Sequence, residues 1–229
     1  MRFTSALEKR RQAGLLPVIP DLKRRSPKEG DLFAGRELHK LAEALQNAGA
    51  PVLSVVTESQ HFGGSLELLK QAVATGLPVL RKDFIQTARD IEETAQAGAA
   101  AALLIVSMLD EKTLVSLLDK CKACGLDALV EVHTAAELGI VNLLGPKLVG
   151  INNRDILRLE KDNGTVENTS MLAALVKQPA LVVSESAIRD QEDARLALQA
   201  GADAILVGTA LLQATDLGAK YSQLQVSIP

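Results

Sequence analysis

Acidic and basic side chains recur in this chain at one kind of place, directly after short aliphatic runs. Asp21 and Lys23 close PVIPDLK, Lys82 and Asp83 close PVLRKD, Glu131 and His133 close DALVEVH, Asn152 and Arg154 follow KLVGI, and Glu185 and Ser186 close LVVSES. One such pair would read as solvated loop charge. Five strand ends of this kind point instead to a shared mouth, where a lysine beside a carboxylate acts as a general acid and a glutamate as a base, because desolvation and neighbouring charges tune both. The last two runs end in small residues and hydroxyls, in VVSESAI and ILVGTALL. Such turns let backbone N–H groups and a short helix N-terminus surround a phosphate, with Gly208 and Thr209 as the first candidates. His39, His61 and His133 are scattered, without H-E-x-x-H or clustered cysteines, so no metal site is expected. His133, just beyond Glu131, reads as a loop group or a support to its neighbour rather than a ligand.

The elements that must position these groups follow from periodicity. Strand-like runs occupy 17–22, 52–56, 78–82, 101–106, 127–132, 147–151, 181–185 and 204–208. Between them lie stretches with helical apolar spacing, such as ELHKLAEALQNAG, SLELLKQAVATG and DEKTLVSLLDKCKACG, several closing in the glycine that a helix C-terminus favours. Continuous apolar strands alternating with amphipathic helices predict a parallel sheet covered by helices, and eight units in 229 residues predict an α/β fold of one domain, a closed (β/α)8 TIM barrel over 17–229. An open doubly wound sheet is the alternative. No G-x-G-x-x-G follows a strand, and the nearest glycine pair, Gly63 and Gly64, falls in a loop. AGAAAALLIV at 97–106 echoes AGADAILVG at 200–208, as a repeated βα architecture would.

Composition narrows the partners. With 25 Lys and Arg against 28 Asp and Glu, the net charge of -3 gives no global basic field for nucleic acid or an anionic membrane. Aromatic residues are 2% of the chain, too few for base-stacking platforms, so the core must be built from Ala, Leu, Val and Ile. No apolar run approaches the roughly 18 to 20 residues of a membrane span, and MRFTSALEKRRQAG lacks the apolar centre of a signal peptide, which predicts a soluble, cytoplasmic protein. The C-x-x-C of Cys121 and Cys124 falls at the end of a helix before a strand, where ordinary thiols are expected in place of a redox pair.

LKRRSPKEG at 22–30, SVVTESQHFGGSLELL at 54–69, PVLRKDF at 78–84, LVEVHTAAEL at 129–138, GINNRDI at 150–156, SESAI at 184–188 and ADAILVGTALL at 202–212 together resemble the indole-3-glycerol phosphate synthase family of tryptophan biosynthesis. The resemblance covers nearly the whole chain. It implies ring closure, decarboxylation and dehydration of 1-(2-carboxyphenylamino)-1-deoxyribulose 5-phosphate, without metal or organic cofactor. By the same resemblance Lys82 is the general acid, Glu131 the acid/base of the dehydration and Lys23 a second catalytic lysine, with the division between the two lysines left open. Asn152 and Glu185 match residues that hold sugar hydroxyls, Asp21 the first-strand carboxylate, and Arg154 an arginine near substrate anions. Ser26, Ser186, Ala187, Gly208 and Thr209 match the phosphate cradle, while Phe62, Phe84, Leu103 and Ile105 would line the pocket of the aromatic ring. The implied partner is a small phosphorylated molecule, not nucleic acid or membrane, and the implied state is a monomer or weak homo-oligomer.

Three departures stand out. Asp21 replaces the family's usual glutamate, and a misplacement near 1 Å at a catalytic group can cost about 100-fold. Ala187 replaces a glycine, so a methyl group would crowd the phosphate or resist a positive φ. Residues 1–16 would be only the end of the helical extension that usually covers the family's active site. These keep a diverged, non-catalytic phosphate-binding barrel as an alternative. Another phosphate-barrel enzyme, such as phosphoribosylanthranilate isomerase, would need a cysteine at the end of the first strand, and neither cysteine is there.

Overall fold

The structure, a computed structural model, describes residues 2–154, 165–177 and 179–228. Its strands are β1 (Val18–Leu22), β2 (Arg25–Ser26), β3 (Gly30–Asp31), β4 (Leu53–Val56), β5 (Val79–Lys82), β6 (Ala101–Ile105), β7 (Asp127–Val132), β8 (Leu148–Asn152), β9 (Leu181–Glu185) and β10 (Ala204–Val207). Eight are parallel and close in the order β1, β10, β9, β8, β7, β6, β5, β4, with β1 bonded to both β4 and β10. Closure excludes the open sheet, and each of the eight anticipated runs supplies one barrel strand. The two-residue strands β2 and β3 form an antiparallel hairpin in the loop after β1, which the sequence pattern did not announce.

The helices are α1 (Phe3–Gln12), α2 (Leu38–Asn47), α3 (Leu66–Val73), α4 (Ala88–Gln96), α5 (Glu111–Ala123), α6 (Ala135–Leu144), α7 (Glu167–Leu172), α8 (Gln191–Gln199), α9 (Thr209–Leu212) and α10 (Leu217–Gln223). Their starts are chemically marked. Ser65, Thr87, Asp110, Thr134, Asp190 and Asp216 each accept a backbone N–H of the first turn, and Thr87 with Asp90 completes a reciprocal capping box. The echoed segments share one geometry, since Gly98 and Gly201 both take positive φ, 83° and 99°, between helix and strand.

Alternation along the strands divides two faces. Val18, Val55, Leu104, Val130, Val149 and Val182 pack outward against helices. Ile19, Leu80, Leu103, Leu129, Val183 and Leu206 meet inside the barrel. One step further along, the same inward face carries the charged Asp21, Lys82, Glu131 and Glu185, with Ile105 and Gly208 between them. The apolar filling thus gives way to charge at the C-terminal ends of the strands.

Helix α1 closes the opposite pole. Phe3 and Leu7 are fully buried in the cluster that contains Ile19, Leu80 and Leu129. Thr4 donates through N and Oγ1 to Asp127 Oδ2, each at 2.9 Å, and Arg11 pairs with Asp203 at 2.7 Å. Asp127 opens β7 and Asp203 precedes β10, so the helix seals the N-terminal mouth and leaves the other mouth free of it. Cys121 is buried on α5, where burial pushes its thiol up to about 12, and both cysteines are free. Such a thiol is unreactive at neutral pH. Among the described residues no helix is long and apolar enough to cross a membrane.

Candidate active site

A cavity of about 650 Å³ opens at the C-terminal mouth. Asp21 and Lys23 reach it from the end of β1, Lys82 from β5, and Arg154 from beyond β8. Ser186 and Ala187 line it after β9, and Gly208 and Thr209 after β10. The ends of β1, β5, β8, β9 and β10 thus share this space, whereas Glu131, Asn152 and Glu185 are not on its wall. Asp155 and Ile156 of GINNRDI lie outside the described residues.

Below the lysines lies a carboxylate floor. Glu131 and Glu185 are fully buried, and Asn152 Nδ2 donates to Glu131 Oε1 at 3.1 Å while its Oδ1 accepts the Arg154 N–H at 3.0 Å. Neither oxygen of Glu185 has a hydrogen-bond partner among the described residues. Burial pushes its carboxyl well above the ordinary range, the charge of Glu131 adds to the rise, Lys82 opposes it, and Asp21 adds to it again. The shift favours the protonated form of Glu185 beside a second carboxyl group, and that form can donate a hydrogen bond to an incoming hydroxyl.

The first-strand carboxylate is tightly seated. Asp21 is buried, Ser54 Oγ donates to its Oδ1 at 2.7 Å, and a Cβ at Gly208 would stand 3.0 Å from the Asp21 carbonyl oxygen and 3.3 Å from Oδ2. A side chain at Gly208 would therefore press on Asp21 as well as on an approaching phosphate.

Phosphate would meet a turn under backbone strain. Ser186 and Ala187 have φ of 67° and 60°, the left-handed region that residues with a Cβ avoid. Asn153 holds the turn in place: its Nδ2 donates to Ser184 Oγ at 3.0 Å and to the carbonyls of Glu185 at 2.9 Å and Ser186 at 3.3 Å. Its Oδ1 accepts from the N and Oγ1 of Thr169, on α7, at 3.1 and 3.0 Å. Ser26, by contrast, turns into its own hairpin, where its Oγ accepts the Glu29 N–H at 3.1 Å, and it is Lys28 and Glu29 of that hairpin that reach the cavity.

Phe62, Phe84, Leu103 and Ile105 line one slot together with Lys82 and Lys23. The slot they enclose measures about 20 Å³, room for one water molecule. Its rim is built by Glu58: burial raises that carboxyl, but the N–H groups of His61, Gln60 and Phe62 outweigh it and hold it below the ordinary range. Behind Lys82, Arg81 lies buried and donates to Thr57 Oγ1, Asp90 O, Thr94 Oγ1 and Asp83 Oδ2 at 2.9 to 3.1 Å. Asp83 Oδ1 in turn accepts the Phe84 N–H at 2.9 Å, so one outward network braces both the lysine and the aromatic wall.

Comparison with known proteins decides the family. The sequence profile described as Indole-3-glycerol phosphate synthase matches residues 1–224. The chain belongs to the indole-3-glycerol phosphate synthase family. It is 45% identical over 201 residues to the indole-3-glycerol phosphate synthase of Pyrococcus abyssi, covering 87% of each chain, and 45% identical over 205 residues to that of Pyrococcus furiosus, covering 89% of each. Among solved structures, the N-acetylmannosamine-6-phosphate 2-epimerase from Clostridium perfringens superposes with a TM-score of 0.68 at 18% identity, over 85% of this chain and 86% of that one, a likeness of fold alone.

Several residues that shape this site were not singled out by sequence reasoning. Ser54 lies mid-strand in an apolar run and Asn153 beside a more conspicuous asparagine, and a polar residue on the inward face of a strand is the one signal that would have found Ser54. Glu58 and Lys28 sit in loops whose path no periodicity reveals. Among the described residues no group of three or more His, Cys, Asp and Glu could hold a metal ion.

Proposed function

We propose that the chain is an indole-3-glycerol phosphate synthase that closes the pyrrole ring of 1-(2-carboxyphenylamino)-1-deoxyribulose 5-phosphate, releasing carbon dioxide and water. The observation that carries this reading is the meeting of Lys82 and Lys23 with the buried Glu131 and Glu185 pair in one mouth flanked by the Ser186–Ala187 and Gly208–Thr209 turns. A phosphate at those turns directs the rest of the molecule across the lysines toward the Phe62 and Phe84 slot. Those two rings must move apart to admit an anthranilate ring, since the slot holds only a water.

In the first step the ring carbon bearing the carboxylate attacks the ribulose carbonyl carbon, and Lys82 gives a proton to the carbonyl oxygen as the C–C bond forms. Loss of carbon dioxide from that ring carbon restores aromaticity. In the second, the new hydroxyl leaves as water while the ring CH2 between that carbon and the nitrogen gives up a proton, so the indole keeps its N–H, with Glu131 as the acid/base group. Lys23 supplies a second cation close to Asp21, Arg154 faces substrate anions, and Asn152 with neutral Glu185 holds sugar hydroxyls. The work is that of a soluble cytoplasmic enzyme on a small phosphorylated molecule, as a monomer or weak homo-oligomer. The isomerase alternative finds no support, since Cys121 and Cys124 stand on and at the end of α5 rather than at the first strand.

Fluorescence of the indole product, measured with the carboxyphenylamino-deoxyribulose phosphate as substrate, tests the assignment. The parent is expected to turn over and Lys82→Ala to lose about 100-fold or more in kcat with KM changed little, because a general acid acts in the transition state. Undiminished turnover in that variant would remove Lys82 from the chemistry. Phosphate binding without turnover in the parent would leave the non-catalytic barrel.

A further inference from the structure

His133 follows Glu131 by two residues, so its side chain leaves the backbone on the same side of the strand, toward the mouth. It is mostly buried, its side chain 12% exposed. Both ring nitrogens are shielded from solvent and neither makes a hydrogen bond among the described residues. Each nevertheless faces a carboxylate: Nε2 lies 3.4 Å from Glu131 Oε1, and Nδ1 lies 3.7 Å from Glu137 Oε2. Glu137 stands in the first turn of α6, is fixed by the His133 N–H at 2.7 Å, and keeps 19% of its side chain exposed. The imidazole thus bridges a carboxyl group that solvent cannot reach and one that it can.

A buried imidazole without partners is costly unless the second form of its neighbour supplies them. Among the described residues, His133 is the group that stands between Glu131 and a carboxylate that solvent reaches. Glu131 is fully buried, its Oε1 both accepts from Asn152 of β8 and faces His133 Nε2, its Oε2 has no hydrogen-bond partner among the described residues, and its charge is felt by Glu185 on β9. We propose that His133 is a positioning residue that relays protons between Glu131 and solvent and fixes the charge state in which Glu131 meets the substrate. This rests on the reading of Glu131 as the acid/base group of the dehydration. When Glu131 carries a proton, its O–H bond breaks as an Nε2–H bond forms, leaving an imidazolium between two carboxylates. The Nδ1 proton then passes to Glu137 and to water. One proton leaves for each that Glu131 takes up, and the reverse sequence recharges it.

The relay predicts a particular pattern of rates. His133→Ala should lose about tenfold or more in kcat, with KM within about twofold, and added imidazole should restore part of the loss by entering the vacated space. His133→Gln, which fills the volume without a titratable group, should be slow and unrescued. Its kcat/KM should follow pH differently from the parent's, because the titratable ring of the relay is gone. Parent-like kcat in either variant across the pH range overturns the proposal, as does a loss that imidazole leaves untouched in His133→Ala and that leaves the pH profile unmoved in His133→Gln. If the alanine variant fails to fold, the pH profile of the glutamine variant decides alone. Glu131→Gln separates the two levels: an inactive Glu131→Gln beside a full-speed His133→Ala overturns the relay only, whereas an active Glu131→Gln removes the acid/base role and the relay together.

Discussion

Gly150 makes room for Glu185. A Cβ built on Gly150 would overlap Glu185 Oε1 while standing 3.4 Å from Leu129 Cδ1, so the carboxyl group lies across the glycine inside the barrel. The glycine of GINNRD therefore serves the chemistry of the neighbouring strand, with which it is paired in register one position before Ile151 and Ser184.

Because the colliding atom is the tip of a side chain and not backbone, Gly150→Ala displaces a functional group. The expected result is a fall in kcat of about 100-fold, from a shift near 1 Å, with stability lowered by about 1–3 kcal/mol. Steady-state rates and a thermal melt check it. Full turnover would mean that the placement of Glu185 is unimportant.

Glu185 also carries a pH signature. Between the ordinary glutamate value near 4.5 and its raised native value, the folded chain holds a proton that the unfolded chain has released. Stability from this group therefore falls as pH rises through that window and is level above it. Glu185→Gln is neutral at every pH, so its melting temperature should gain on the parent's as pH rises from about 4.5, while its turnover drops. A constant difference across the range would show that burial does not shift this carboxyl.

Ala187 offers the opposite trade. Its φ of 60° is strained for any residue with a Cβ, and Asn153 holds the turn against relaxation. Ala187→Gly should stabilise the chain by roughly 0.5–1 kcal/mol, the left-handed penalty outweighing the greater freedom of an unfolded glycine. It should leave KM equal or lower, since the methyl group lines the cavity where phosphate would sit. A destabilised variant would place the strain elsewhere.

Legibility in the sequence followed the physics of each feature. Barrel strands announce themselves because both of their faces are buried, and the charged strand ends stand out against them, which is how Asp21, Lys82, Glu131 and Glu185 could be named before their meeting was seen. What depends on a crossing of strands has no local trace: Ser54 meets Asp21, Gly150 meets Glu185 and Asn153 meets Ser186 only after the barrel closes. Ser26 shows the same limit, since a two-residue hairpin too short to display a period turned its hydroxyl onto Glu29. Helix α1 does likewise, because nothing in FTSALEKRR tells which pole of a barrel Phe3 will fill.

The departure at Asp21 reads differently once its surroundings are known. In sequence it is a shortened carboxylate, and lengthening it would be expected to repair the site. In the structure the aspartate is buried, holds the Ser54 hydroxyl at 2.7 Å, and is flanked so closely by residue 208 that a Cβ there would come within 3.3 Å of Oδ2. The pocket is cut to this length. An added methylene carries the carboxylate past the place where the Ser54 hydroxyl reaches it, toward Gly208 or into the cavity that Asp21 lines, and so gives up the serine contact. Asp21→Glu should accordingly destabilise the chain by about 1–3 kcal/mol and lower turnover by about tenfold or more. Ser54→Ala should reproduce part of the loss by freeing the aspartate from its donor, at roughly 1 kcal/mol. Melting curves and initial rates on the two variants test this together, and a rise in turnover for Asp21→Glu would show that the shorter arm is a defect and not an adaptation.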